Sequence, residues 1–162
     1  MKELLLLRHA KSDWGDPGLA DHERPLAARG ERDAPRLGAF LAANAVLPDL
    51  VVSSPAERAR ATAKRVLKAA GYSGDLRFDE RIYLADAGSL LRVVHGLPDE
   101  ANRVMLVGHN PGFEDLAAAL CGGSVRMATA ALACIELADE QWATVQPGSA
   151  SLLWLVNPKV LA

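Results

Sequence analysis

Leu4-Leu5-Leu6-Leu7, four large aliphatic residues in a row closed by Arg8 and His9, constrain the fold more than any other stretch. A strand with one wet face alternates apolar and polar residues. A strand apolar at every position is buried on both faces, as in a parallel sheet covered by helices on each side. Val104-Met105-Leu106-Val107-Gly108 has the same character and also leads to a histidine, His109. A third run, Leu50-Val51-Val52-Ser53, leads through Ser54-Pro55 to Arg58. Open α/β sheets gather ligands outside the carboxyl ends of their strands, so these exits predict one site shared by Arg8, His9, Arg58 and His109.

Between the runs the spacing is helical. A helix over 28–45 carries Leu37, Phe40, Leu41 and Val46 inward, with Pro35 expected in its first turn. A second starts at Pro55 and is closed by Gly71, a third spans 89–97 and stops at Pro98, and a fourth spans 111–120 and ends at Gly122-Gly123. Residues 75–79 read as a further strand. The last third changes character: 131–137, 142–146 and 151–156 read as short strands joined by turns at Asp139-Glu140 and Pro147-Gly148, forming an antiparallel edge. Residues 10–27, rich in Asp, Gly and Pro, form a loop long enough to suggest a functional one. The pattern predicts an α/β three-layer sandwich with a mostly parallel central sheet.

The chain has 162 residues, the length of one domain, and the expectation is a single domain over 1–162. Its 18 Lys+Arg and 20 Asp+Glu give a net charge of -2, so no general electrostatic pull toward nucleic acid or an anionic membrane is expected. Leu4–Leu7 is too short for a membrane span or a secretory signal, which reads as a cytoplasmic protein. Cys121 and Cys134 lack metal-ligand spacing and read as small buried hydrophobes.

Arg8-His9-Ala10, Ser53-Ser54-Pro55-Ala56-Glu57-Arg58-Ala59 and Val107-Gly108-His109-Asn110-Pro111 resemble, in order and spacing, the three motifs of the histidine phosphatase superfamily, shared with cofactor-dependent phosphoglycerate mutases. The stretch Leu7–Trp14, with Arg24-Pro25-Leu26 and Arg29-Gly30, is similar to the small SixA-like phosphohistidine phosphatases. The resemblance implies the phosphoglycerate-mutase-like fold and hydrolysis of a phosphoryl group through a covalent phospho-His9 intermediate. It also implies that Arg8, Arg58 and His109 bind the phosphoryl oxygens, and that no cofactor is needed. For the proton donor to the leaving group, the segment Phe78–Tyr83 resembles the mutase stretch that carries the acid, pointing to Glu80; Asp13 is a second candidate. Gly15 stands where the mutases carry a phosphate-pocket Asn, with Ser12 as a substitute donor, and Asn110 can donate to the phosphate or cap the next helix. Few residues separate the third strand from the following helix, so the lid-forming helical insertion of larger relatives is missing and the pocket should be open.

The chemistry fits without the resemblance. Two guanidinium forks match the oxygens of a phosphoryl group, and a neutral imidazole can attack phosphorus. A metal held by His9 and His109 is disfavoured, because two arginines beside it would repel it and no third ligand has suitable spacing. The expected partner is a phosphorylated protein or a small phosphorylated molecule, with inorganic phosphate as product. The alternatives are a small-metabolite phosphomonoesterase of the same superfamily and a non-catalytic, phosphate-dependent binding module.

Overall fold

The computed structural model describes residues 1–161. Its sheet has six strands: β1 (Lys2–Arg8), β2 (Leu50–Ser53), β3 (Asp75–Phe78), β4 (Arg103–Gly108), β5 (Leu132–Leu137) and β6 (Ala150–Val156), in the order β3-β2-β4-β1-β5-β6. The first four are mutually parallel, whereas β5 and β6 add an antiparallel edge. This is the mostly parallel α/β arrangement expected. Four helices cover it: α1 (Ala28–Ala43), α2 (Glu57–Ala70), α3 (Ala87–His95) and α4 (Gly112–Cys121).

The unbroken apolar strands explain the two layers. Leu4, Leu6, Val104 and Leu106 pack on one face with Leu90 and Val94 of α3 and Phe113 and Leu116 of α4. Leu5, Leu7, Met105 and Val107 pack on the other with Leu37 and Leu41 of α1 and Val66 of α2. Each fully buried leucine adds about 2 kcal/mol of transfer free energy, and no position on β1 between Leu4 and Leu7 is free to be polar. No helix among the described residues is long and apolar enough to cross a membrane.

Several expectations need correction. Pro35 lies deep inside α1, although an interior proline costs about 3 kcal/mol. The helix begins at Ala28 as the pattern predicts and continues past the proline because Leu37, Gly38 and Leu41 are buried beyond it. Residues 142–146 do not form a strand: Trp142–Thr144 make one turn of 3-10 helix. Trp142 and Val145, three apart, are both buried, the spacing at which side chains of a 3-10 turn eclipse; the segment's alternation is coincidental. Pro55 precedes α2, which starts at Glu57, and α3 begins at Ala87 because the Asp86 carboxylate caps the Ser89 N–H at 2.8 Å. Only three residues of 3-10 helix (Glu80–Ile82) interrupt the connection from β3 to α3, so no helical lid is inserted there. Both cysteines are free, and burial pushes the Cys134 thiol up to about 12.

Candidate active site

Strand register brings the exits level. Arg8 is paired with Gly108 across β1 and β4, and Ser53 with Val107 across β2 and β4. The backbone N–H groups of His9 and Ser54 donate to the Gly108 and Val107 carbonyls at 2.9 Å each. The sequence-predicted quartet therefore converges: Arg8, His9, Arg58 and His109 line one cleft of about 290 Å³ together with Lys11, Ser12, Trp14, Asp21, Leu84, Asn110 and Thr129.

Each floor residue is held by identifiable contacts. His9 Nδ1 lies 2.7 Å from the Ala10 carbonyl oxygen. A carbonyl can only accept, so the ring proton sits on Nδ1 and the Nε2 lone pair is free. Thr62 ties this turn to α2: its hydroxyl donates to the Arg58 carbonyl (2.6 Å) and accepts the Ala10 N–H (2.9 Å). His109 Nε2 is 2.8 Å from Ser54 Oγ, which already accepts the Ala56 N–H. A serine hydroxyl that donates to Nε2 leaves the His109 ring proton on Nδ1. That nitrogen is buried without a partner, as is Arg8 Nε. Unpartnered buried polar nitrogens are rare in folded proteins, and both of these belong to residues that line the cleft.

The two imidazoles stand 5.3 Å apart between ring centroids. Burial, reinforced by the neighbouring guanidinium groups, lowers the pKa of His9 to about 4. Burial, then the nearby His9 and Arg58, lowers that of His109 to about 3. Both rings are neutral near pH 7, the state in which a histidine can be a nucleophile.

Arg8 is aimed by the segment after α4. Its Nη1 donates to the Met127 carbonyl at 3.0 Å, which also accepts Asn110 Nδ2 at 3.0 Å, while the Met127 N–H is held by Glu114 at 2.6 Å. Arg58 uses one donor on each terminal nitrogen for Asp21, Nη1 to its carbonyl (2.7 Å) and Nη2 to Oδ2 (3.0 Å), leaving the second donor on each. Asp21 Oδ2 also accepts the Tyr83 hydroxyl at 2.5 Å. That hydrogen bond first, and Arg58 second, hold the Asp21 carboxyl below the usual carboxylate range.

The structure places Ser12 and Asn110 in the cleft wall, but not Glu80 or Asp13. Glu80 is exposed at the start of the 3-10 turn, and the Asp13 carboxylate accepts the Gly15 N–H at 2.7 Å. The carboxylate that does line the cleft, Asp21, is one that sequence reasoning missed, along with Thr62, Tyr83, Leu84 and Thr129. Asp21 shares the polar 10–27 loop with Asp13 and Asp16, and nothing in its spacing sets it apart. Gly30 lets that loop lie on α1, since a Cβ there would run into the Lys11 carbonyl. Among the described residues, no three His, Cys, Asp or Glu side chains are grouped to hold a metal ion.

An α/β sheet with two neutral histidines and two arginines over adjacent strand exits has the chemistry that suits a phosphoryl group, and comparison with known proteins gives the family. Residues 4–91 match the family described as the histidine phosphatase superfamily (branch 1), and the chain belongs to it. Within that family it is SixA-like. A structure from Agrobacterium tumefaciens, assigned as the phosphohistidine phosphatase SixA, superposes with a TM-score of 0.84 at 28% identity, covering 97% of this chain and 98% of that one. The uncharacterized protein Rv1276c of Mycobacterium tuberculosis is 36% identical over 94% of this chain and 100% of its own length. The mycobacterial glucosyl-3-phosphoglycerate phosphatase Rv2419c shares the fold, with a TM-score of 0.71 at 18% identity over 95% of this chain and 98% of that one. The protein is therefore a phosphatase, acting on a phosphorylated substrate and releasing phosphate.

Proposed function

We propose that this phosphatase hydrolyses phosphohistidine in a protein, through a covalent intermediate on His9. The Nε2 lone pair of His9 attacks phosphorus as the substrate's P–N bond breaks. The electrons of that bond leave on the substrate imidazole nitrogen, which takes up a proton. Water then attacks phospho-His9, the P–Nε2 electrons return to His9, and phosphate departs with the water oxygen, the released proton going to solvent in the open cleft. Arg8, Arg58 and His109 carry the charge of the phosphoryl oxygens in both steps; a well-placed donor contributes on the order of 3 kcal/mol. Two guanidinium groups supply the positive charge, so the mechanism is metal-independent.

The observation that carries the substrate class is the carboxylate in the cleft. Asp21 is held in its ionised form by Tyr83 and Arg58, and so is a poor acid near pH 7. An alkoxide leaving group needs a proton from the enzyme, whereas an imidazole can be protonated from solvent before it leaves. Glu80 and Asp13, outside the cleft wall, are left as donors for ester substrates. The absence of a helical insertion between β3 and α3 gives a protein-borne side chain room to enter.

The test is hydrolysis of p-nitrophenyl phosphate, an alkyl phosphate and a phosphohistidine protein in the presence of a chelator, by wild type, His9→Ala and Glu80→Gln. The expected result is a preference for the phosphohistidine, a loss of at least about a thousandfold in His9→Ala with melting temperature unchanged, and at most a small change on phosphohistidine in Glu80→Gln. Metal-dependent turnover, or an active and folded His9→Ala, would overturn the mechanism. A preference for small esters would move the substrate to metabolites.

A further inference from the structure

A second cleft, of about 340 Å³, adjoins the first at Thr129. It is lined by Arg29, Arg32, Asp33 and Arg36 of α1 and by Asn157 and Lys159 after β6, and Thr129 forms a wall of both clefts. Arg29 Nη2 donates to the Thr129 hydroxyl at 3.4 Å, so the cationic cleft begins where the phosphoryl site ends. Among the described residues, four cations face one carboxylate here, in a chain whose net charge is -2. That carboxylate, Asp33, is nearly buried and already engaged, 3.4 Å from Arg36 and 4.0 Å from Arg29. The nearest other acid on the helix, Glu31, is paired with Arg65. The positive charge is therefore concentrated locally and only partly neutralised.

We propose that this cleft docks a carboxylate-rich segment of the phosphoprotein substrate, next to the side chain whose phosphoryl group enters the active site; this rests on the phosphohistidine reading above. The layout favours a chain over a compact second phosphate. Arg29, Arg32 and Arg36 stand at i, i+3 and i+7 on one face of α1, a strip about 10 Å long, suited to several carboxylates in succession. Arg29 and Arg36 are far from enclosed, with about half of each side chain in water, whereas tight capture of a single dianion calls for converging, desolvated donors. A cationic strip of this kind speeds encounter and lowers KM without touching the chemical step.

The experiment compares wild type with the double variant Arg32→Glu/Lys159→Glu, neither residue being in the wall of the phosphoryl cleft. The substrates are a histidine-phosphorylated peptide with flanking Asp and Glu, the same peptide with Asn and Gln in their place, a bisphosphorylated small ester, and p-nitrophenyl phosphate. Wild type is expected to prefer the acidic peptide about tenfold, through KM, with the preference shrinking as salt rises. The double variant should lose that preference and keep its activity on p-nitrophenyl phosphate. Equal rates on the two peptides in wild type would remove the docking proposal and leave the phosphohistidine reading standing. Turnover of p-nitrophenyl phosphate but neither peptide would remove both. A preference for the bisphosphorylated ester, abolished by the same substitutions, would overturn the assignment in favour of a small anionic substrate.

Discussion

The floor of the phosphoryl cleft and its rim are held in different ways. His9, Arg58 and His109 are 8%, 4% and 3% exposed, and each is fixed by backbone at a strand exit or the first turn of a helix. Trp14 and Leu84, at the mouth, are 59% and 56% exposed and lie in connecting segments. Leu84 adopts φ 48°, a left-handed conformation that costs a residue with a Cβ of order 1 kcal/mol or more. On the proposed mechanism, the sheet fixes what is done to a phosphoryl group, while the loops decide what may carry it in. Substitutions in the floor should act on every substrate alike, and substitutions at the rim should discriminate between them.

The largest effect after loss of His9 is expected at Arg58. Arg58→Ala should lower kcat/KM by about a hundred- to a thousandfold on small and protein substrates equally, by loss of a phosphoryl donor and release of Asp21. Arg58→Lys should recover little, because a point charge cannot serve Asp21 and two phosphoryl oxygens as a fork does. Side-by-side kinetics on p-nitrophenyl phosphate and a phosphohistidine protein check this. A loss confined to the protein substrate would place Arg58 with the rim.

A smaller effect is expected from pH. His9 and His109 titrate at about 4 and about 3 in the folded protein because both are buried, against about 6.5 in an unfolded chain. The unfolded state thus binds more protons between those values, so stability falls as pH drops from about 6.5 toward 4 and is fully present above that window. In an NMR titration the two imidazoles should stay neutral from pH 8 to pH 5. A midpoint near 6.5 for His9 would mean that water reaches the floor, and the contrast with the rim would weaken.

The floor was also the legible part of the sequence. A four-residue leucine run bounded by charge is too short for a buried helix and fits a strand buried on both sides, whose last residues lie at the sheet's carboxyl edge, so Arg8, His9 and His109 are placed by hydrophobicity and run length. Asp21 and Leu84 carry no such mark, since their positions depend on how the 10–27 loop and the turn after β3 close over the sheet. Thr62 is hidden for another reason. On α2 it is one more small residue on an inward face, and its bridge between Arg58 and Ala10 exists only once helix and sheet have packed. Pro35 and the segment at 142–146 misled because local patterns yield to tertiary burial.

Trp14 should show the smallest effect and the one most specific to the rim. Its ring lies 4.0 Å from the Arg24 guanidinium carbon, and its Nε1–H donates to Ser12 Oγ at 2.9 Å. Arg24 is itself buried and clamped to the Asp16 and Leu19 carbonyls at 3.0 and 3.2 Å. The indole is thus held on a rigid platform at the mouth, although more than half of it is in water. An exposed aromatic that is already ordered offers contact area without a further loss of rotamer freedom. Trp14→Ala should raise KM for a phosphohistidine protein about three- to tenfold, leave kcat unchanged, and leave acetyl phosphate unaffected. Trp14→Phe should restore most of the loss, since the ring face remains when the bond to Ser12 is gone. An equal fall in kcat on both substrates would show that Trp14 acts through Ser12 and Arg24 on the floor, and the boundary between the two regions would then have to be drawn outside the indole.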